Sequence, residues 1–393
     1  MKRLRRWSVP LAVPFVRLWV LVLLAGLAPP LSAGTVDPAQ DPAAEEAEDE
    51  KEGPKFSFHA YLSQAYAMSD GHQIFGIPEG GTTDYRNIAL QFRYEMTPRD
   101  IVVAQIAHDR RGRSTLNEVY DDVELDWAFY ERRLSDATSV KVGKMQLPFG
   151  VYNEIRDVGT LLPFYTPPLN FYVENYSSES VEGIMLSHAF HSGGEWSVDS
   201  DAYFGGWDRV EQDPPSGNVV VARAENAVGT QLWLNTPVSG LRFGLSGFRF
   251  QAEGRLNQAY ETDTVQAYAF SADGSFQRFF ARSEVLWSEA PFRLTPDFVI
   301  PHIVYLAYYG QLGFELTPKW SLNLQADFAK VDFKLIPELD LSEDYALGVL
   351  YRFKYNVVAK AEIHRNKGFL VENELSVAPL KTYYGIVSWS TSF

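Results

Sequence analysis

From Phe56 onward, apolar and polar residues alternate with a period of two in segments broken by turn residues, and no stretch keeps a helical period. The alternation predicts sixteen strands, at 56–68, 84–97, 100–110, 119–133, 138–146, 179–190, 195–205, 221–236, 240–252, 262–271, 275–288, 301–317, 319–333, 343–355, 357–366 and 381–393. Joins after the even strands are tight: TPRD, LSDA, HSGGE, TPVSG, SADG, TPK and Asn356. Joins after the odd strands are long, as at 69–83, 111–118, 206–220, 253–261, 289–300, 334–342 and 367–380. This regular alternation puts every short turn at one rim and every long loop at the other, as in a transmembrane barrel with short periplasmic turns.

The two faces of the strands are chemically different. Trp320, Leu322, Leu324, Ala326 and Phe328 alternate with Ser321, Asn323, Gln325 and Asp327, and Tyr345, Leu347, Val349, Tyr351 and Phe353 with Gly348, Arg352 and Lys354. Strand four sets Val123, Leu125, Trp127 and Phe129 against Asp122, Glu124, Asp126 and Arg132. A sandwich would bury the apolar face, whereas a barrel in lipid turns it outward and lines its lumen with the polar one. Alternation alone does not separate the two, but three further features favour the barrel.

Lys2, Arg3, Arg5, Arg6 and Arg17 precede the apolar run Leu18–Ala28 and a small-residue site near Ser32 and Ala33, so residues 1–33 read as an export signal. Aromatic residues are plentiful, with 9 Trp, 21 Tyr and 26 Phe, and crowd the strand ends as girdles at two lipid interfaces require. The chain closes on YYGIVSWSTSF, an alternating strand that resembles the insertion signal of outer-membrane barrels. The fold class is therefore all-β: a transmembrane antiparallel barrel of about 16 strands, formed by residues 56–393. Its place is the outer membrane of a Gram-negative-type bacterium, with membrane lipid as a partner.

Composition removes other classes. Cysteine is absent, which excludes disulfides, thiol chemistry and thiolate metal sites. Without its signal the chain carries 30 Lys and Arg against 50 Asp and Glu, a net charge of about −20, so nucleic acid is no partner. Residues 34–55 hold eight acids and no aromatic side chain and read as a disordered acidic leader.

One connection stands out. Strand five ends KVGKMQLPFGVYNEIRDVG and gives way to a loop from Leu147 to Ser178, longer than a compact domain keeps without a use. Gly143, Lys144, Pro148, Phe149, Gly150, Asn153 and Glu154 match a pattern of the phosphate-selective porin O and P superfamily, which the chain resembles over residues 56–393. The resemblance implies a water-filled diffusion channel for small hydrophilic solutes and ions, a homotrimer, no cofactor, and a long third loop folded into the lumen. Candidate constriction residues are Pro148, Phe149, Gly150, Asn153, Glu154, Arg156, Asp157 and Glu174.

Strand parity assigns Arg93, Arg132, Lys141, Arg242, Arg278, Arg282, Arg352, Lys354 and Lys360 to the lumen, against ten acids that include Glu284, Asp327 and Glu362. So even a balance is no ladder for phosphate, which needs converging Lys and Arg; a substrate-selective anion channel remains the alternative. Arg93, Arg352, Lys354 and Lys360 facing the loop acids Glu154, Asp157 and Glu174 would set a field across the bore; the plainer reading is solvated lumen charges paired locally. Catalysis has one candidate, His108 with Asp109 beside Asp121 and Asp122, and the reading is no enzyme. His188 and His191 flank a turn without metal-ligand spacing, and no metal site is read. A surface adhesin using the long loops is a further alternative.

Overall fold

The computed structural model describes residues 53–114, 123–172, 179–191, 194–212, 219–253, 263–295, 298–334, 337–372 and 378–393. The signal and nearly all of the acidic leader lie outside them, as do Glu174, Asp121 and Asp122. Sixteen strands form: β1 (Lys55–Asp70), β2 (Thr82–Thr97), β3 (Asp100–Arg111), β4 (Glu124–Ser135), β5 (Thr138–Gln146), β6 (Ser180–His191), β7 (Ser197–Gln212) and β8 (Val219–Asn235). Then follow β9 (Leu241–Glu253), β10 (Asp263–Phe276), β11 (Phe279–Thr295), β12 (Phe298–Thr317), β13 (Trp320–Asp332), β14 (Leu339–Lys354), β15 (Val357–Gly368) and β16 (Leu380–Ser392). Each strand pairs antiparallel with its sequence neighbours, and β1 closes on β16, so the barrel has no free edge. The last residue completes the seam: the Phe393 amide donates to the Ala60 carbonyl at 2.9 Å.

The facing decides between sandwich and membrane barrel. On β13, Asn323 and Asp327 are each 1% exposed toward the interior while Leu324 between them is 48% exposed on the outside. Val142, Ile184, Phe204, Leu245, Leu347 and Val387, from six different strands, are exposed in the same way. An apolar belt around a closed barrel with its polar residues inside is the arrangement lipid selects.

The repeated Thr-Pro pairs make the short turns. Thr97 Oγ accepts the Asp100 amide at 3.1 Å, and Thr317 Oγ accepts the Trp320 amide at 3.1 Å, so the hydroxyl satisfies a donor in a turn where proline has none. Three expectations change. The Asp-Gly pair in SADG is not a turn: Asp273 pairs with Arg242 and Arg282 inside β10, and the reversal falls at Gln277–Arg278, with Gln277 in the left-handed region at φ 52°. The long loop expected at 289–300 is largely strand, because β11 and β12 stay paired to Thr295 and Phe298 through two bulges. On β4, Gln105 pairs with Trp127 and Ile106 with Leu125, leaving Asp126 as an extra residue. This bulge reverses the facing of the rest of the strand, so Trp127 turns inward, buried with Ile101 and Val103.

Candidate functional site

Residues 147–172, which follow β5, lie inside the barrel and are fastened to much of its wall. At the root, the Leu147 amide donates to the Glu179 carbonyl at 3.0 Å, and Asn153 Nδ2 donates to the Leu147 carbonyl at 2.8 Å. Pro148 carries no amide and ends the strand. Phe149 packs on Phe171 and on Phe248 of β9, with ring centroids 5.9 and 5.2 Å apart. Gly150 has φ +67°, and a Cβ there would lie 2.5 Å from the Tyr172 hydroxyl and 2.9 Å from Glu284, so the approach to the wall requires glycine. Its amide donates to Ser246 at 3.2 Å and its carbonyl accepts from Gln231 at 2.9 Å.

Beyond Gly150 the wall groups that hold the loop include acids, amides and one lysine. Glu284 of β11 accepts the Val151 amide at 3.0 Å, the Tyr309 hydroxyl at 2.5 Å, and the hydroxyls of Ser271 and Tyr172. Tyr152 donates to Gln311 of β12. A single turn, α1 (Leu169–Tyr172), is held between strands: the Asn170 amide donates to Asp327 at 3.1 Å and its carbonyl accepts the Tyr305 hydroxyl at 2.5 Å. Lys360 of β15 donates to the carbonyls of Gly159 and Phe164, both at 2.7 Å, and Glu362 accepts the Tyr165 amide at 2.9 Å. On the far side, Asp157 accepts from Asn87 of β2 at 3.1 Å and from Gln105 of β3 at 3.0 Å. Phe149, Val151, Tyr152, Leu162, Phe171 and Tyr172 join wall residues such as Trp207, Phe248 and Phe250 in one buried cluster within the barrel.

That geometry fixes where the candidate residues stand. Phe149, Gly150 and Asn153 are anchors, and Asp157 is buried, its carboxyl pushed up to about 6 by burial and by the charge of Glu179. Arg156 pairs with Glu179 at 3.0 Å. Glu154 stays exposed, within electrostatic reach of Lys141, Arg242 and Asp201, from β5, β9 and β7. Arg242 lies 4.2 Å over the Trp233 ring and Arg282 4.7 Å over the Tyr152 ring, and both pair with Asp273, at 3.1 and 2.9 Å. Arg93 pairs with Glu95 at 2.9 Å, and Arg352 lies 3.5 Å from the Pro318 carbonyl.

Four assignments to the lumen wall are corrected. Lys360 is 3% exposed and binds loop carbonyls, so its charge does not face an aqueous bore. Arg132 follows the β4 bulge, which shifts its parity; it pairs at 2.7 Å with Asp100, on the face that carries the exposed Val102. Arg278 is exposed in the β10–β11 turn, and Lys354 ends β14 on the short-turn rim, past a bulge. With Lys360 and Lys354 gone, the basic wall opposite the loop acids dissolves, and the basic charges that act on Glu154 come from β5 and β9. The His108–Asp109 pair also separates, since neighbours on a strand face opposite sides: Arg86 donates to His108 at 3.0 Å, and Asp109 pairs with Arg111 at 2.8 Å. Sequence reasoning missed Gln105, Gln231, Gln311, Tyr165 and Tyr172; the one signal for the glutamines was an amide at an inward mid-strand position.

Known solved structures share the fold of this closed barrel. OmpT of Vibrio cholerae in its trimer form aligns at a TM-score of 0.55 with 11% identity, over 87% of this chain and 100% of that one. The outer membrane channel DcaP of Acinetobacter baumannii gives 0.56 with 11% identity, over 87% and 98%, and an anion-selective porin from Comamonas acidovorans gives 0.55 with 8% identity, over 86% and 100%. The fold is that of the outer-membrane porins. No protein-family model and no curated protein sequence matches the chain. In this porin fold the connection from β5 to β6 is bound to the wall by hydrogen bonds and ring packing together.

Proposed function

We propose that the protein is a porin-type channel, assembled as a homotrimer, through which small hydrophilic solutes and ions cross the outer membrane by passive diffusion. The loop 147–178 sets the bore, and Lys141, Arg242, Arg282 and Glu154 bias which ions pass. The observation that carries this reading is the loop itself, held inside a lipid-facing barrel by wall groups from β2, β3, β8, β9, β11, β12, β13, β15 and β16. Sixteen strands enclose a lumen too wide to be filled by wall side chains alone, and an inward loop is what limits it. No covalent step is part of the mechanism: selection comes from size and from fixed charges close to the solute path. Local pairing of Arg93, Arg242 and Arg282 with acids favours general diffusion over a dedicated phosphate path. The trimer draws support from the fold match to a trimeric barrel.

The test is reconstitution of the folded protein in planar bilayers under a KCl gradient. Discrete, stable conductance steps with an ion-dependent reversal potential are expected; a folded, heat-modifiable barrel that gives no steps refutes the reading. Triplets of steps that close together, with a trimeric mass in detergent, are expected for the assembly.

A further inference from the structure

On the long-loop side of the inserted segment lies a cavity of about 60 Å³, lined by groups of both charges. Asp109, Asp126, Asp157 and Glu179 face it with Arg111 and Arg156. Two of these acids are neutralised locally, Asp109 by Arg111 at 2.8 Å and Glu179 by Arg156 at 3.0 Å. The other two converge on one neutral donor: Gln105 Nε2 lies 3.0 Å from an oxygen of Asp126 and 3.0 Å from one of Asp157. Lys144, whose charge acts on Asp126, forms no ion pair with it and donates to the Leu125 carbonyl at 2.6 Å. Like charges brought together around a neutral amide leave a deficit of positive charge in the cavity.

A second observation is independent of the acids. Tyr165, only 9% exposed, lines the same cavity and packs on Tyr85 with centroids 5.3 Å apart, the rings tilted by 43°. Its hydroxyl is buried without a hydrogen-bond partner, although it lies within reach of the charges of Asp109 and Arg111 on the cavity wall. Asn87 Oδ1, on the same lining, is buried and unpartnered too. Buried polar atoms are nearly always satisfied, so two acceptor-capable orphans beside two carboxylates that belong to no ion pair describe a site built for a donor.

We propose that this cavity binds the ammonium or guanidinium end of a small organic cation, as a solute subsite on the external side of the loop. Asp126 and Asp157 supply the counter-charge, the Tyr165 and Asn87 oxygens accept hydrogen bonds, and the paired rings of Tyr85 and Tyr165 offer faces a cation favours. The volume admits a headgroup of a few heavy atoms, with the rest of the solute left in the vestibule. The assignment rests on the channel reading for its purpose but not for its test.

Binding is measured by calorimetry on the folded full barrel in detergent, with n-butylammonium, n-butylguanidinium and butyrate as probes. Saturable binding of either cation, none of butyrate, and a loss of about tenfold or more in affinity in Asp126→Asn are expected. Tyr165→Phe keeps the ring contact and removes only the hydroxyl; a loss of several-fold is expected there, and it carries the test if Asp126→Asn does not fold. No saturable heat from either cation, equal binding of butyrate, or affinities unchanged in the folded variants overturns the proposal. Because no bilayer is used, conductance steps without cation binding defeat the site alone, and cation binding without steps defeats the channel alone.

Discussion

Replacing Lys360 by methionine frees the middle of the inserted loop. The Lys360 ammonium donates to the carbonyls of Gly159 and Phe164, both at 2.7 Å, and is buried between wall and loop. A hydrogen bond from a charged donor is worth about 1.5–3 kcal/mol, and methionine fills the volume without donating. Water reaching the two carbonyls recovers part of the loss, so the low end of the sum applies, about 3 kcal/mol. Each 1.4 kcal/mol is a factor of ten, which makes the locally undocked state about a hundredfold more populated. Hydrogen exchange reads this directly at two amides: Tyr165, which donates to Glu362 at 2.9 Å, and Leu161, which donates to the Val158 carbonyl at 2.8 Å. Both should lose about two decades of protection in the variant while strand amides of β8 and β9 keep theirs. Protection at Leu161 and Tyr165 within threefold of wild type, in a folded barrel, refutes the claim that Lys360 pins the loop.

Other consequences follow from the same contacts. Phe171→Ala empties a fully buried site between Phe149 and Tyr309 and should cost about 3–5 kcal/mol of loop docking, seen as faster proteolysis within 147–172 at unchanged barrel heat-modifiability. Arg242→Ala removes a cation near Glu154, so the reversal potential in a KCl gradient should move toward cation selectivity; no shift removes Arg242 from the solute path. Asp157 titrates near 6 when folded, above its unfolded value near 4. The folded state therefore binds the proton more tightly, and loop docking should weaken as pH rises from about 4 through 6, read as Tyr165 amide exchange. Leu347→Arg, on the lipid-facing belt, should destabilise the barrel in bilayers by about 2–4 kcal/mol, read as a lower urea midpoint.

The wall was legible in the sequence because period-two alternation and Thr-Pro turns are local signals, and every expected strand has its counterpart. What local signals cannot see is an added residue: with Asp126 bulged out, the parity of Trp127, Phe129 and Arg132 runs opposite to a plain count. Nor can they see what an inward charge meets. Arg242 and Lys360 read alike along their strands, yet one stays 41% exposed against Trp233 and the other holds two loop carbonyls. The Pro-Phe-Gly stretch marked the loop, but its anchors are Gln105, Gln231, Glu284, Gln311 and Asp327, spread over five strands. The Asp-Gly pair of SADG misled because a carboxylate between two arginines on the lumen wall outweighs the turn preference of Asp-Gly.

The most direct test of the central claim is single-channel conductance of the wild type against a deletion of Gly159–Asn170, the part of the loop that reaches Lys360, Asn323 and Asp327. If the loop sets the bore, the folded deletion variant should conduct in steps several times larger, with weaker ion selectivity. Steps of unchanged size and reversal potential from a folded variant would contradict the account, since the path for ions would then lie elsewhere than past the loop.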